Sequence, residues 1–157
     1  MVIVAAAISV LIIYDLDKPI PKPLQDPGLV VVSQDSKLAQ TLVEEVIKKY
    51  DNEEKELSAL ENFLEFNINS TEKRYAFVID YDTKKIVAHP NTELLGQDSF
   101  ALINASESEE SILENLKNND GHWVYYDFTN PETGNEEPKT SWFKLHDGLI
   151  FGSGFYN

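Results

Sequence analysis

The chain has no cysteine, one methionine and only three histidines among its 157 residues. Without cysteine there can be no disulfide framework, thiolate zinc site, thiol nucleophile or c-type haem attachment. The histidines stand at 89, 122 and 146, with no His-x-x-x-His or His-Glu-x-x-His spacing. A transition-metal site therefore has no recognisable ligand set. No Gly-x-Ser-x-Gly elbow is present, and Gly152-Ser153-Gly154 is not followed by the Gly-Lys-Ser/Thr step of a phosphate loop. Enzyme chemistry, metal and cofactor are accordingly not expected. Positive charge is scarce too: 13 Lys and Arg face 27 Asp and Glu, a formal net charge of −14. Such a chain lacks the basic face that neutralises phosphates, so no nucleic-acid partner is expected.

What is present suits one globular domain. Hydrophobic residues make up 42% and charged residues 25%, which is ordinary for a folded core. The distribution is uneven. Val2 to Tyr14 is uncharged and almost wholly apolar. As a helix it would reach roughly 20 Å, short of a ~30 Å hydrocarbon core. It reads as a membrane anchor, a signal-peptide remnant or a buried element of the fold. Asp15 to Gly28 then carries Pro19, Pro21, Pro23 and Pro27, the pattern of an extended spacer. The expected organisation is an anchor or signal remnant at 1–14, a proline-rich linker at 15–32 and one domain at 33–157.

From Asp35 to about Phe66 the apolar residues Leu38, Leu42, Val46, Tyr50, Leu57, Leu60 and Leu64 recur at helical spacing. They predict one long helix with Ser33 and Asp35 as caps, in which the all-polar run Asp51 to Glu56 forms a solvated turn or two, with or without a bend. After Arg74 the period becomes two. Strands are expected at 75–79, 86–88, 122–128, 139–146 and 149–156, with a second helix at 107–118. Asp147-Gly148 marks a two-residue hairpin. The fold class is α+β, a long N-terminal helix packed on a five-stranded antiparallel sheet. Asp80 and Asp82 flank the first hairpin turn but lack the glycine and distal glutamate of a calcium loop.

The last three strands hold nine aromatic residues within 123–156. Alternation divides the first of them into Trp123, Tyr125 and Asp127 on one face and His122, Val124, Tyr126 and Phe128 on the other. One set belongs to the core. The other is solvated or forms the wall of a small-ligand pocket.

These residues also resemble a known family. YAFVID…IVAHPN..LLG over Tyr75 to Gly96, GHWVYYDFTNPETGNEEPK over Gly121 to Lys139, and the SWFKLHDGLIFGSGFY that follows are similar to extracellular Cache sensor domains of the single-Cache, PAS-like type. The resemblance covers about 33–156. It implies a curved sheet with a small metabolite held between the sheet and the loops above it, and an extracellular or periplasmic position beside a membrane. It implies a short carboxylate, an amino acid or an amine as ligand. It assigns His89, Trp123, Tyr126, Lys139 and Trp142 to the binding site. Lys139 is the expected anchor for a carboxylate, His89 a hydrogen-bond donor, and Tyr126 a hydroxyl with a ring wall. Gly152 and Gly154 lie on one strand face and let a helix or ligand come close. The long helix offers a surface for a homodimer. The alternative is a structural or protein-interaction module of the same fold without a ligand.

Overall fold

The computed structural model describes residues 33–67 and 73–157. The anchor and linker expectations for 1–32 lie outside these residues. Among the described residues no helix is long and apolar enough to cross a membrane.

Helix α1 spans Gln34–Asn52. Ser33 caps it, its hydroxyl accepting from the Ser36 N–H at 3.0 Å, while Asp35 and Lys49 suit the two ends of the helix dipole. Its inner face carries Ala39, Leu42, Val43, Val46, Ile47 and Tyr50, all buried. The expected single helix to Phe66 is not what forms. Glu54 and Lys55 take left-handed backbone angles (φ 54° and 65°), and the Lys55 N–H turns back to the Tyr50 carbonyl at 3.0 Å. The chain continues as a 3-10 turn, Leu57–Leu60. Leu60 and Leu64 still enter the core beside Val46 and Tyr50. The apolar spacing was set by burial against that core, and a turn satisfies it as well as a helix does.

Among the described residues seven strands form the sheet: β1 (Glu65–Asn67), β2 (Lys73–Asp80), β3 (Ile86–Ala88), β4 (Asn104–Ala105), β5 (His122–Thr129), β6 (Glu136–His146) and β7 (Leu149–Tyr156). Their order is β1-β2-β7-β6-β5-β4, with β3 also on β2. The five expected strands are all present. The two additions are short edge strands of three and two residues, too brief to show an alternating pattern. Two short helical segments, a 3-10 turn at Thr92–Leu94 and α2 at Ser99–Leu102, carry the chain across the sheet. Helix α3 (Glu109–Asn118) follows, capped by Ser108. The Asp147-Gly148 hairpin forms as expected, with both residues at positive φ (50° and 76°). In the β2–β3 turn the Asp80 carboxylate accepts from the Thr83 N–H and hydroxyl, each at 2.7 Å.

The sheet separates two apolar layers. One face packs on α1 through Ala76, Val78, Leu149 and Phe151. The other carries Phe77, Ile79, Val124, Tyr126, Phe143 and Ile150 beneath α3 and the 90–103 segment. Both layers are therefore needed to close the domain, and the 3-10 turn is part of the first. Replacing Leu60 by alanine should lower unfolding free energy by about 2–4 kcal/mol. Leu95→Ala, at a leucine that is 43% exposed, should change it by less than about 0.5 kcal/mol. Urea denaturation measures both, and equal effects would contradict the assignment of Leu60 to the core.

Candidate functional site

The layer opposite α1 is not fully packed. A cavity lies there between the sheet and the segment above it, lined by Tyr75, Phe77, His89, Tyr126, Phe128 and Lys139, with Ser99, Phe100 and Ile103 on the outer side. Strand alternation builds it. Tyr75, Phe77 and Ile79 are successive same-face residues of β2; Tyr126 and Phe128 are the same on β5; and Lys139 pairs across from Tyr126. The inner space is narrow, a cavity of about 30 Å³. That is room for about two waters, or for a ligand of a few heavy atoms. Tyr75, His89 and Phe128 also line a wider groove with Pro90, Asn91, Leu94, Leu102 and Glu136, so the cavity opens to the surface past His89.

Lys139 dominates the electrostatics. The residue is only 2% exposed, and among the described residues it has no carboxylate partner. Its Nζ donates to the Tyr75 hydroxyl and lies within 4.2–5.6 Å of the ring centres of Tyr75, Phe77, Phe128 and Tyr156. Each ring contributes about 0.5–2 kcal/mol to an ammonium. Burial of an unpaired charge costs several kcal/mol, so the rings offset that cost only in part. The Lys139 pKa accordingly falls to about 7, through burial first and the nearby Arg74 charge second.

The other polar groups are neutral donors. His89 Nδ1 accepts from the Asn91 N–H at 2.9 Å. In the neutral ring the proton must then sit on Nε2, which makes that atom a donor. Burial, and next to it Lys139, push the His89 pKa down to about 4. The Tyr75 and Tyr126 hydroxyls are raised above the ordinary phenol range by burial and so stay protonated. Tyr126 shares a 2.9 Å hydrogen bond with Ser141. Tyr156 donates to the Thr129 carbonyl at 2.9 Å and stands 3.4 Å from the Tyr75 hydroxyl. One cation and several neutral donors facing an aromatic chamber are suited to holding a small anion with an apolar body.

Of the five residues expected at the site, the structure brings His89, Tyr126 and Lys139 together in this cavity. Trp123 and Trp142 are paired across β5 and β6, with ring centres 5.1 Å apart, on the face turned toward α1. Trp142 packs against that core and also covers Gly121, where an added Cβ would lie 2.1 Å from the indole. Gly152 and Gly154 do share the cavity face, but what approaches them is protein. The Phe77 ring would be 2.4 Å from a Cβ at Gly152, and Ser141 Oγ 2.1 Å from one at Gly154. The tyrosine that holds Lys139, Tyr75, was not singled out from sequence. Its signal was the Tyr75-x-Phe77 alternation at the start of β2, which marks a face without saying which face is hollow.

A profile of the Cache domain family matches residues 22–157. The chain belongs to the Cache domain family. Solved structures with the same fold agree with this. One is a periplasmic sensor domain of a chemotaxis protein, 22% identical, with a TM-score of 0.52 over 76% of this chain and 88% of that one. Another is a Cache chemosensory domain described for its carboxylic acid recognition, 20% identical, TM-score 0.54, over 78% and 90%. A third is a methyl-accepting chemotaxis protein from Vibrio parahaemolyticus, 16% identical, TM-score 0.50, over 77% and 82%. No curated protein matches the chain. The long helix on an antiparallel sheet is thus the Cache fold.

Outside the cavity, Asp51, His146 and Asp147 bring ligand atoms within 4.8 Å of one another. His146 Nε2 is 2.9 Å from Asp51 Oδ1, and Lys55 is ion-paired with Asp147. These oxygens are already engaged by protein groups.

The lowered pKa of His89 has a definite sign. The unfolded chain takes up this proton near pH 6.5, the folded domain only near 4. Its contribution to stability is thus full above about 6.5 and is lost as pH falls from there to about 4. Nitrogen-15 NMR of the histidine rings should show Nε2 protonated, Nδ1 bare and a midpoint near 4 for His89. A midpoint near 6.5 would contradict its burial against Lys139.

Proposed function

We propose that this Cache domain is an extracytoplasmic sensor module that binds a short monocarboxylate, without catalysing a reaction. The observation that carries this is Lys139: a buried amine, without a carboxylate partner among the described residues, set into a small aromatic cavity that opens to the surface. A carboxylate placed there gains a charge-assisted bond from Lys139 Nζ, with donors from Tyr75 and from His89 Nε2 within the same chamber. Its alkyl part meets Phe77, Phe100, Ile103 and Phe128. The narrow inner space favours two to four carbons, and Glu65 and Glu136 on the outer groove disfavour a second carboxylate. The neighbour of this fold described for carboxylic acid recognition supports the ligand class, and the chemotaxis proteins among the neighbours support a sensory role. In this reading 1–14 anchors the protein in a membrane, 15–32 is the stalk, and 33–157 is the sensing domain. The ligand is held by His89, Tyr126 and Lys139 together with Tyr75. Trp123 and Trp142 act from the opposite face by fixing the strands that carry Tyr126 and Lys139.

Thermal denaturation with a panel of acetate, propionate, lactate, succinate, glycine and methylamine tests the proposal. A monocarboxylate at one hundred times its Kd should add about 2.7 kcal/mol, raising Tm by several degrees. Succinate and methylamine should have little effect. Lys139→Met should abolish the shift while the domain stays folded. A shift that survives this substitution would remove Lys139 from the site.

A further inference from the structure

The surroundings of Lys139 bear on how the ligand arrives. The titratable and charged groups around Nζ come from every element packed against it; the outermost, Glu65 and Glu136, line the wider groove with Tyr75, His89 and Phe128 and are not ion-paired with Nζ. From β2 come Tyr75, a neutral phenol, and Arg74, which has the same sign as the lysine and already pairs with Asp35 at 2.6 Å. After β3 comes His89, held neutral with its Nδ1 occupied by the Asn91 N–H. From β5 comes Tyr126, neutral and bonded to Ser141. From β7 comes Tyr156, whose hydroxyl is turned to the Thr129 carbonyl. The 99–103 segment contributes Ser99, whose hydroxyl donates to the Lys84 carbonyl, and apolar side chains. On β6 itself the nearest carboxylate, Glu137, is taken by Asn130 and Thr133. None of these supplies a negative charge to Nζ. A buried amine in such a place favours its uncharged form until an anion joins it.

We propose that the empty domain holds Lys139 mainly as a neutral amine at mildly alkaline pH, and that a carboxylate enters together with one proton. The proton comes from solvent and forms the ammonium, which then pairs with the carboxylate. No covalent bond is made or broken. The sensor is thereby linked to pH: it responds to ligand and proton as a joint input. The inference rests on the carboxylate reading above and adds the proton to it. The lowered pKa of Lys139 agrees with the geometry and fixes the range. Below pH ~7 affinity should be flat, down to the point where the ligand itself protonates. Above that point it should fall, approaching tenfold per pH unit.

The test is isothermal titration of the full chain with sodium propionate in phosphate, HEPES and Tris buffers, at pH 6 and pH 8. The dependence of observed enthalpy on buffer ionisation enthalpy counts protons. About 0.9 proton should be taken up per propionate at pH 8 and about 0.1 at pH 6. Propionate binding with no buffer dependence at pH 8 would overturn the proton linkage and leave the carboxylate site standing. No binding of propionate, acetate or lactate at either pH would overturn both. A ligand-free measurement covers the same point. The Cε carbon resonance of Lys139, identified by its loss in Lys139→Met, should titrate near pH 7 in the empty domain. A midpoint near 10 would overturn the inference even where propionate binds.

Discussion

An amine buried among four aromatic rings, with no acid beside it, is the constraint on which the cavity depends. Water is excluded from it on the sheet side and the rings compensate only partly. The groups around it have adjusted accordingly. Tyr75 takes one of its hydrogen bonds, His89 is held as a neutral donor by the Asn91 backbone, and the remaining phenols stay protonated. The excess of 27 acidic over 13 basic residues makes this more telling. In a chain with carboxylates to spare, none of the described ones reaches the innermost lysine.

The fold makes that arrangement affordable by working from both sides of the sheet. On one face α1, the 3-10 turn and β1 close a continuous apolar layer. On the other, α3 and the 90–103 segment cover the sheet less closely, and the gap between that segment and the sheet is the cavity. Gly152 admits the Phe77 ring and Gly154 admits Ser141. Ser141 in turn positions the Tyr126 hydroxyl. The shape of the chamber is thus set in part by the two positions of β7 that carry no side chain.

Much of this was legible in the sequence, and the limits were physical. Long alternating strands announced themselves, as did the Asp147-Gly148 turn and the cap at Ser33. The end of α1 did not, because Leu57, Leu60 and Leu64 keep helical spacing while the backbone between them turns over at Glu54 and Lys55. The all-polar run Asp51 to Glu56 left room for a bend, but without glycine or proline it did not announce a left-handed pair. The family motifs pointed to Lys139, Tyr126 and His89, and these three line the cavity. Period-two alternation separated Trp123 from Tyr126, but periodicity does not say which face is filled and which is hollow. Only the packing of α1 on one side and of the partial cover on the other decides that. Tyr75 was hidden for the same reason.

Strand β7 lies in the middle of the sheet, between β2 and β6, and α1 packs chiefly against it. On its cavity side two of its positions have no side chain, while the neighbouring Phe151 and Ser153 point toward the helix layer. At Gly152 the Phe77 ring therefore rests directly on main chain. The wall between the cavity and the layer beneath α1 is one peptide thick there. Pressure on that ring from within the chamber meets no compressible side chain on β7, only a rigid amide plane whose other surface is already in the helix layer.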